Sequence, residues 1–161
     1  MNRSYTLLAI MAILIVACQP TKTIPDSDRL AEVAQKGSMV MPFDLDASTH
    51  IFDKTADGGV QQVVSDVDDP QQVALIREHL NDLAKRFAAG NFHDPEMIHG
   101  SGMPGLHELV VGHERVTIEY SEIESGAQIV YSTEDKGLVN AIHSWFDAQL
   151  SDHGDHAMSH R

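Results

Sequence analysis

The chain has 161 residues, 24 acidic against 11 basic side chains, a formal charge of −13, 42% hydrophobic residues, ten histidines and a single cysteine. One cysteine excludes an intrachain disulfide, a thiolate zinc cluster and a cysteine-pair redox motif. The negative charge disfavours nucleic acid, anionic lipid and phosphate-rich substrates while suiting cations, and the length is that of one domain able to bury a core.

The first residues are basic (Arg3) and then apolar from Leu7 to Ala17, a run too short for a comfortable membrane span, which needs about 20 apolar residues. It ends in Ile15-Val16-Ala17-Cys18, similar to the lipobox of bacterial lipoproteins. Residues 1–17 are therefore read as a lipoprotein signal peptide and Cys18 as the lipidated first residue of the mature chain. A plain secretory signal with an incidental cysteine, or an uncleaved anchor, is the alternative. Gln19 in place of aspartate favours the outer membrane, on its periplasmic face. Removing the signal takes Arg3 and no acid, leaving a charge of about −14.

Residues 18–46 read as a flexible tether, in which "DRLAEVAQKG" has the makings of a short helix capped by Ser27 or Asp28 and stopped by Gly37. An α+β domain is expected over residues 47–152. "STHIFDKT" and "VQQVVSD" flank "ADGG", a hairpin signal in which Asp57-Gly58-Gly59 would supply the turn. Asp68 or Asp69 then caps a helix with Pro70 in its first turn, apolar Val73, Ile76, Leu80, Leu83 and Phe87 on one face, and Gly90 as its stop. The connection "IHGSGMPGLHELVVGH" follows, with a short helix after Pro104. The second half repeats the pattern: "RVTIEYSEI" and "AQIVYST" form a hairpin around "ESG", and Asp135 caps a helix whose Leu138, Val139, Ile142, Trp145, Phe146 and Leu150 share a face. Two hairpin-helix units imply a four-stranded antiparallel sheet with both helices on one face. Residues 153–161 read as a histidine-rich tail.

The histidines fall into three groups. His50, His79 and His143 lie inside regular elements; at 100° per residue His79 stands about 60° from Ile76 and His143 about 100° from Ile142, so both border the buried stripe. They either converge or serve as separate core-edge histidines bonded to backbone. His99 and Met103, in the glycine-rich connection, pair imidazole with thioether, a combination suited to copper in either oxidation state. In the alternative, Met-Pro-Gly is a type II turn and Met103 packs in the core; His107 and His113 read as surface residues. In the tail, Asp152, His153, Asp155, His156, Met158 and His160 could hold Cu(II), Ni(II) or Zn(II) weakly, or simply be solvated. Nucleophile-elbow, P-loop, dinucleotide, zincin, c-type haem and EF-hand motifs are absent from the sequence.

The strings "THIFDKTADGGVQQVV", "LIREHLNDLAKRFAAGNFHDPEMIHGSGMPGL" and "GAQIVYSTEDKGLVNAIHSWFDAQLSDHG" resemble a family of small exported bacterial proteins of uncharacterised function, over roughly residues 48–156. Its members often carry the label aspartate carbamoyltransferase. That label does not transfer: the chain has no S-T-R-T carbamoyl-phosphate motif and no four-cysteine zinc site. The resemblance implies export and leaves the activity open.

The expectation is a lipid-anchored periplasmic protein that binds a transition metal, copper before zinc, for tolerance, storage or delivery. Its ligands would come from His50, His79, His99, Met103 and His143, with Lys54 and Trp145 nearby and His153 and His156 capturing metal from solution. The competing expectations are a metal-free envelope module that docks a protein, a small acid-base enzyme using Lys54, and a domain binding haem non-covalently.

Overall fold

The structure is a computed structural model and describes residues 27–160. The segment read as a signal peptide, Cys18 and the first part of the expected tether lie outside the described residues. The remainder is an α+β fold in which five helices and a five-stranded mixed sheet surround one core.

Two hairpins build most of the sheet. Strands β1 (Ser48–Thr55) and β2 (Gly58–Ser65) form the first, and β3 (Thr117–Ile123) and β4 (Gly126–Ser132) the second. They join through antiparallel β2 and β4, giving the order β3-β4-β2-β1-β5. Ala56 and Asp57 make the first turn, and the two glycines expected there begin β2 instead. The reason for one of them is packing, because a Cβ on Gly59 would run into the ring of Phe146.

Side chains alternate along each strand, and the register aligns His50 with Val63, Phe52 with Gln61, and Gln61 with Ile129. These residues belong to one buried face, covered by α2 (Pro70–Ala88) and α5 (Lys136–His153). Both long helices start as their sequences require: the Asp69 carboxylate accepts from Gln71 N–H, and the Asp135 carboxylate from Gly137 N–H and Leu138 N–H. Phe87, Trp145, Tyr131, Phe146 and Phe52 interlock as an aromatic core between helices and sheet.

Three features depart from the sequence reading. The second part of the expected tether is packed: the expected short helix, α1 (Ser27–Gly37), buries Val33, and the following turn buries Met41 and Phe43. Gln72 of α2 clamps this turn, its amide donating to Asp44 O and accepting from Asp44 N–H. The packed unit therefore begins before residue 47. Second, the end of the chain is structured. After α5, a 3-10 turn (Gly154–His156) leads to β5 (Ala157–Met158), which lies parallel to β1 as a fifth strand. Asp53 of β1 holds this end, accepting from His160 N–H, from the His160 ring and from the Ser159 hydroxyl. An edge strand offers unpaired backbone groups, and the tail occupies them.

The third is the connection, where the short helix expected after Pro104, α4 (Leu106–Gly112), is preceded by an unforeseen one, α3 (His93–His99). Between them Gly105 has φ +77° and sits so close to α5 that a Cβ would strike the Ala141 carbonyl oxygen. Gly105→Ala is therefore expected to cost about 3 kcal/mol, combining left-handed strain with overpacking. A urea midpoint unchanged from the parent protein would contradict this tight helix contact.

Candidate functional site

Four histidines far apart in the sequence meet at one internal cavity of about 40 Å³, lined by His50, His79, His99 and His153 together with Met41, Gln61, Asp94, Trp145 and Gln149. Each arrives by a different route. His50 projects from β1 because it shares the inward face with Phe52. His79 comes from α2 beside Leu80 and packs edge-on against Phe43 at 5.6 Å. His153 is the last residue of α5.

His99, the last residue of α3, depends on how that helix is attached. Phe92 stacks on Phe87 at 4.4 Å, and the Arg86 guanidinium donates two bonds, of 2.8 and 2.7 Å, to the Asp94 carboxylate. These contacts fix α3 to the end of α2 and deliver the His99 ring inward, with its side chain only 1% exposed. Its Nδ1 lies 2.8 Å from Asp152 Oδ2, and Arg29 of α1 donates both to Asp152 and to the His99 carbonyl oxygen. Burial pushes the Asp152 carboxyl up, but its bonds from Arg29 and His99 outweigh this and hold it below the usual carboxylate range. An ionised carboxylate only accepts, so His99 Nδ1 carries the proton and Nε2 keeps its lone pair.

The other imidazoles are similarly disposed. His153 Nε2 lies 3.1 Å from Gln149 Oε1, an acceptor, which leaves the Nδ1 lone pair. His50 Nδ1 is buried without a hydrogen-bond partner, as is the indole N–H of Trp145. Unpaired buried polar groups are uncommon and each calls for an explanation. Burial lowers all four imidazoles: His50 and His79 to about 4, His153 well below the usual value, and His99 below it despite the opposing Asp152. At neutral pH the cavity therefore presents neutral rings with free lone pairs.

The rings touch one another. His50 stacks on His153 with centroids 5.0 Å apart and 7° between planes, while His99 meets His153 edge-on at 5.1 Å. Imidazole lone pairs lie in the ring plane, so two parallel rings do not aim at a common point. Accordingly, among the described residues no three His, Cys, Asp or Glu groups stand ready to hold a metal ion. Rotation of one ring is needed to converge them.

Of the residues singled out from sequence, His50, His79, His99 and His153 line the cavity and Trp145 forms part of its wall. Met103 does not line it; it is buried in the hydrophobic core just before the turn into α4. The thioether at the cavity is that of Met41, which the tether reading hid. His143 is also elsewhere, its Nε2 2.9 Å from the carbonyl oxygens of Thr55 and Gly58, where it ties α5 to the first hairpin. His156 is exposed beyond the cavity, and Lys54 is ion-paired with Asp147 on the outer surface. Asp152 and Arg29, which orient His99, were not recognisable as partners from sequence.

The chain matches no protein-family profile, no curated protein and no solved structure.

Proposed function

We propose that the cavity binds one transition-metal ion, copper before zinc, through His50, His99 and His153, with Met41 and His79 on its wall. The observation that carries this reading is the Arg29–Asp152–His99 arrangement. A carboxylate holding one imidazole nitrogen so that the other faces a site is the usual outer-shell device for a metal-ligating histidine. The unpartnered His50 Nδ1 in the same cavity supplies a second donor atom. Imidazole with thioether favours copper over harder ions. The Trp145 N–H, a donor only, would then bond a water or other oxygen ligand completing the coordination.

In this reading the protein is a lipid-anchored component of the bacterial envelope, held by Cys18 at the periplasmic face of the outer membrane, that stores, buffers or delivers the metal. Haem is a poorer match, because a cavity of about 40 Å³ is far below the roughly 300–1,000 Å³ of a pocket for a larger organic ligand. The enzyme reading loses its base, since Lys54 points away from the cavity toward Asp147. For a protein-docking module, the large apolar residues exposed among the described residues, Met39, Val67, Val110, Val111 and Met158, come from four separate segments of the chain.

The test is a Cu(I) titration of the full chain against a chromophoric chelator. One equivalent is expected, weakened at least tenfold by His50→Ala and unchanged by Met103→Leu. Unchanged affinity in His50→Ala, or no binding by the parent protein, would overturn the proposal.

A further inference from the structure

The polar residues lining the histidine cavity bring two kinds of atom. The imidazoles of His50, His99 and His153 carry lone pairs, whereas Trp145, Gln61 and Gln149, all buried, bring N–H groups that a cation cannot use. The Trp145 N–H is a donor without a partner. The two amides have their oxygens engaged: Tyr131 O–H donates to Gln61 Oε1 at 2.7 Å, and Gln149 Oε1 lies 3.1 Å from His153 Nε2. In each, the NH₂ is the half left to donate. Asp94, the carboxylate on the wall, is already engaged through both oxygens by Arg86. The cavity measures about 40 Å³, and one water needs about 10–15 Å³ of such space. A metal ion would therefore leave room for a companion the size of about two waters.

Resting on the metal reading above, we propose that the cavity seats an exchangeable second guest beside the ion: a small anion of two or three atoms that accepts hydrogen bonds from Trp145, Gln61 and Gln149. An anion bound to the metal meets both halves of the lining, giving one end to the ion and the other to the N–H donors. Its negative charge also offsets the charge that the ion brings into a buried, imidazole-lined space, where burial opposes uncompensated charge. Three imidazoles with one exchangeable position is the arrangement of metal centres that act on a small molecule, whereas purely structural centres are closed by protein ligands. Size is the selecting property, because the walls are packed core residues such as Phe52, Leu80 and Phe87.

The experiment uses azide as the probe on the full chain loaded with one equivalent of Cu(II), its metal content checked by elemental analysis. Azide is expected to bind saturably, read as an azide-to-copper charge-transfer absorption band. Imidazole, also a good copper ligand but a five-membered ring, should leave the band and the azide affinity unchanged. Trp145→Phe, loaded in the same way, is expected to bind azide about tenfold more weakly, having lost one hydrogen bond to an anion. Copper-loaded parent protein that shows no azide band overturns this inference and leaves the metal site standing as a closed one. Imidazole competing as effectively as azide overturns it as well, since the open position would then lie outside the cavity, and this comparison needs no variant to fold. Equal azide affinity in Trp145→Phe removes the indole as donor and overturns the proposed seat. A parent protein that retains no copper overturns both readings.

Discussion

Acidification of the metal-free protein from pH 7 to pH 4 is expected to remove on the order of 6 kcal/mol of folding stability, which is comparable with the whole stability of an ordinary domain. His50 and His79 are held to about 4 by burial, against 6.5 in the unfolded chain. Each difference corresponds to roughly 3 kcal/mol, since one unit is about 1.4 kcal/mol. Because the unfolded chain takes up the protons first, the stability is complete above about pH 6.5, falls steadily below it, and is gone once pH passes below about 4. His99 and His153 are lowered in the same direction and add to the loss. The depressed carboxyls of Asp94 and Asp152 act in the same sense, because the unfolded chain again takes up the proton first, but their stabilisation is lost only at lower pH, below the usual carboxylate range. Urea midpoints followed by Trp145 fluorescence at pH 7, 6, 5 and 4.5 should fall throughout, and His79→Leu should flatten the slope. A midpoint constant from pH 7 to pH 4.5 would mean that the imidazoles are not buried as described.

Asp152→Asn is expected to weaken Cu(I) binding by about 10- to 100-fold, and His99→Ala by more. Asparagine keeps the shape of Asp152 but not the charge that binds Arg29 and polarises His99. Two consequences separate this from simple loss of structure. The folded far-ultraviolet circular dichroism spectrum of Asp152→Asn should persist at neutral pH, and Arg29→Leu should reproduce part of the affinity loss without touching the ring. Equal affinities in all three variants and the parent protein would remove His99 from the site.

Much of the fold follows from local patterns. Asp69 with Pro70, Asp135, and the apolar stripes of α2 and α5 announce their helices because caps and helical periodicity act within one or two turns. What was not legible depends on distant partners. The chain end becomes a strand only because β1 has a free edge and Asp53 is there to hold Ser159 and His160. Likewise "SMVMPF" looks like loop until Gln72, on another element, clamps it and Met41 and Phe43 enter the core.

The candidate site divides in the same way. Helical angles placed His79 and His143 alike at the border of a buried stripe, yet His79 faces the cavity and His143 the first hairpin. Tertiary packing alone separates them. Met103 looked like the partner of His99 by nearness in sequence; the turn into α4 carries it into the core, and Met41, well over fifty residues away, reaches the cavity instead. Asp152 is separated from His99 by 53 positions and from Arg29 by 123, so their association required the docking of α1 against α3 and α5.

The most direct test of the cavity as a metal centre is the copper K-edge absorption spectrum of the full chain loaded with one equivalent of Cu(I). The account predicts a first shell of two or three imidazole nitrogens near 2.0 Å, the distance usual for metal–imidazole bonds, with no more than one sulfur, and loss of nitrogen scattering in His99→Ala. A shell of oxygens alone, or one unchanged in His50→Ala, His99→Ala and His153→Ala, would contradict it.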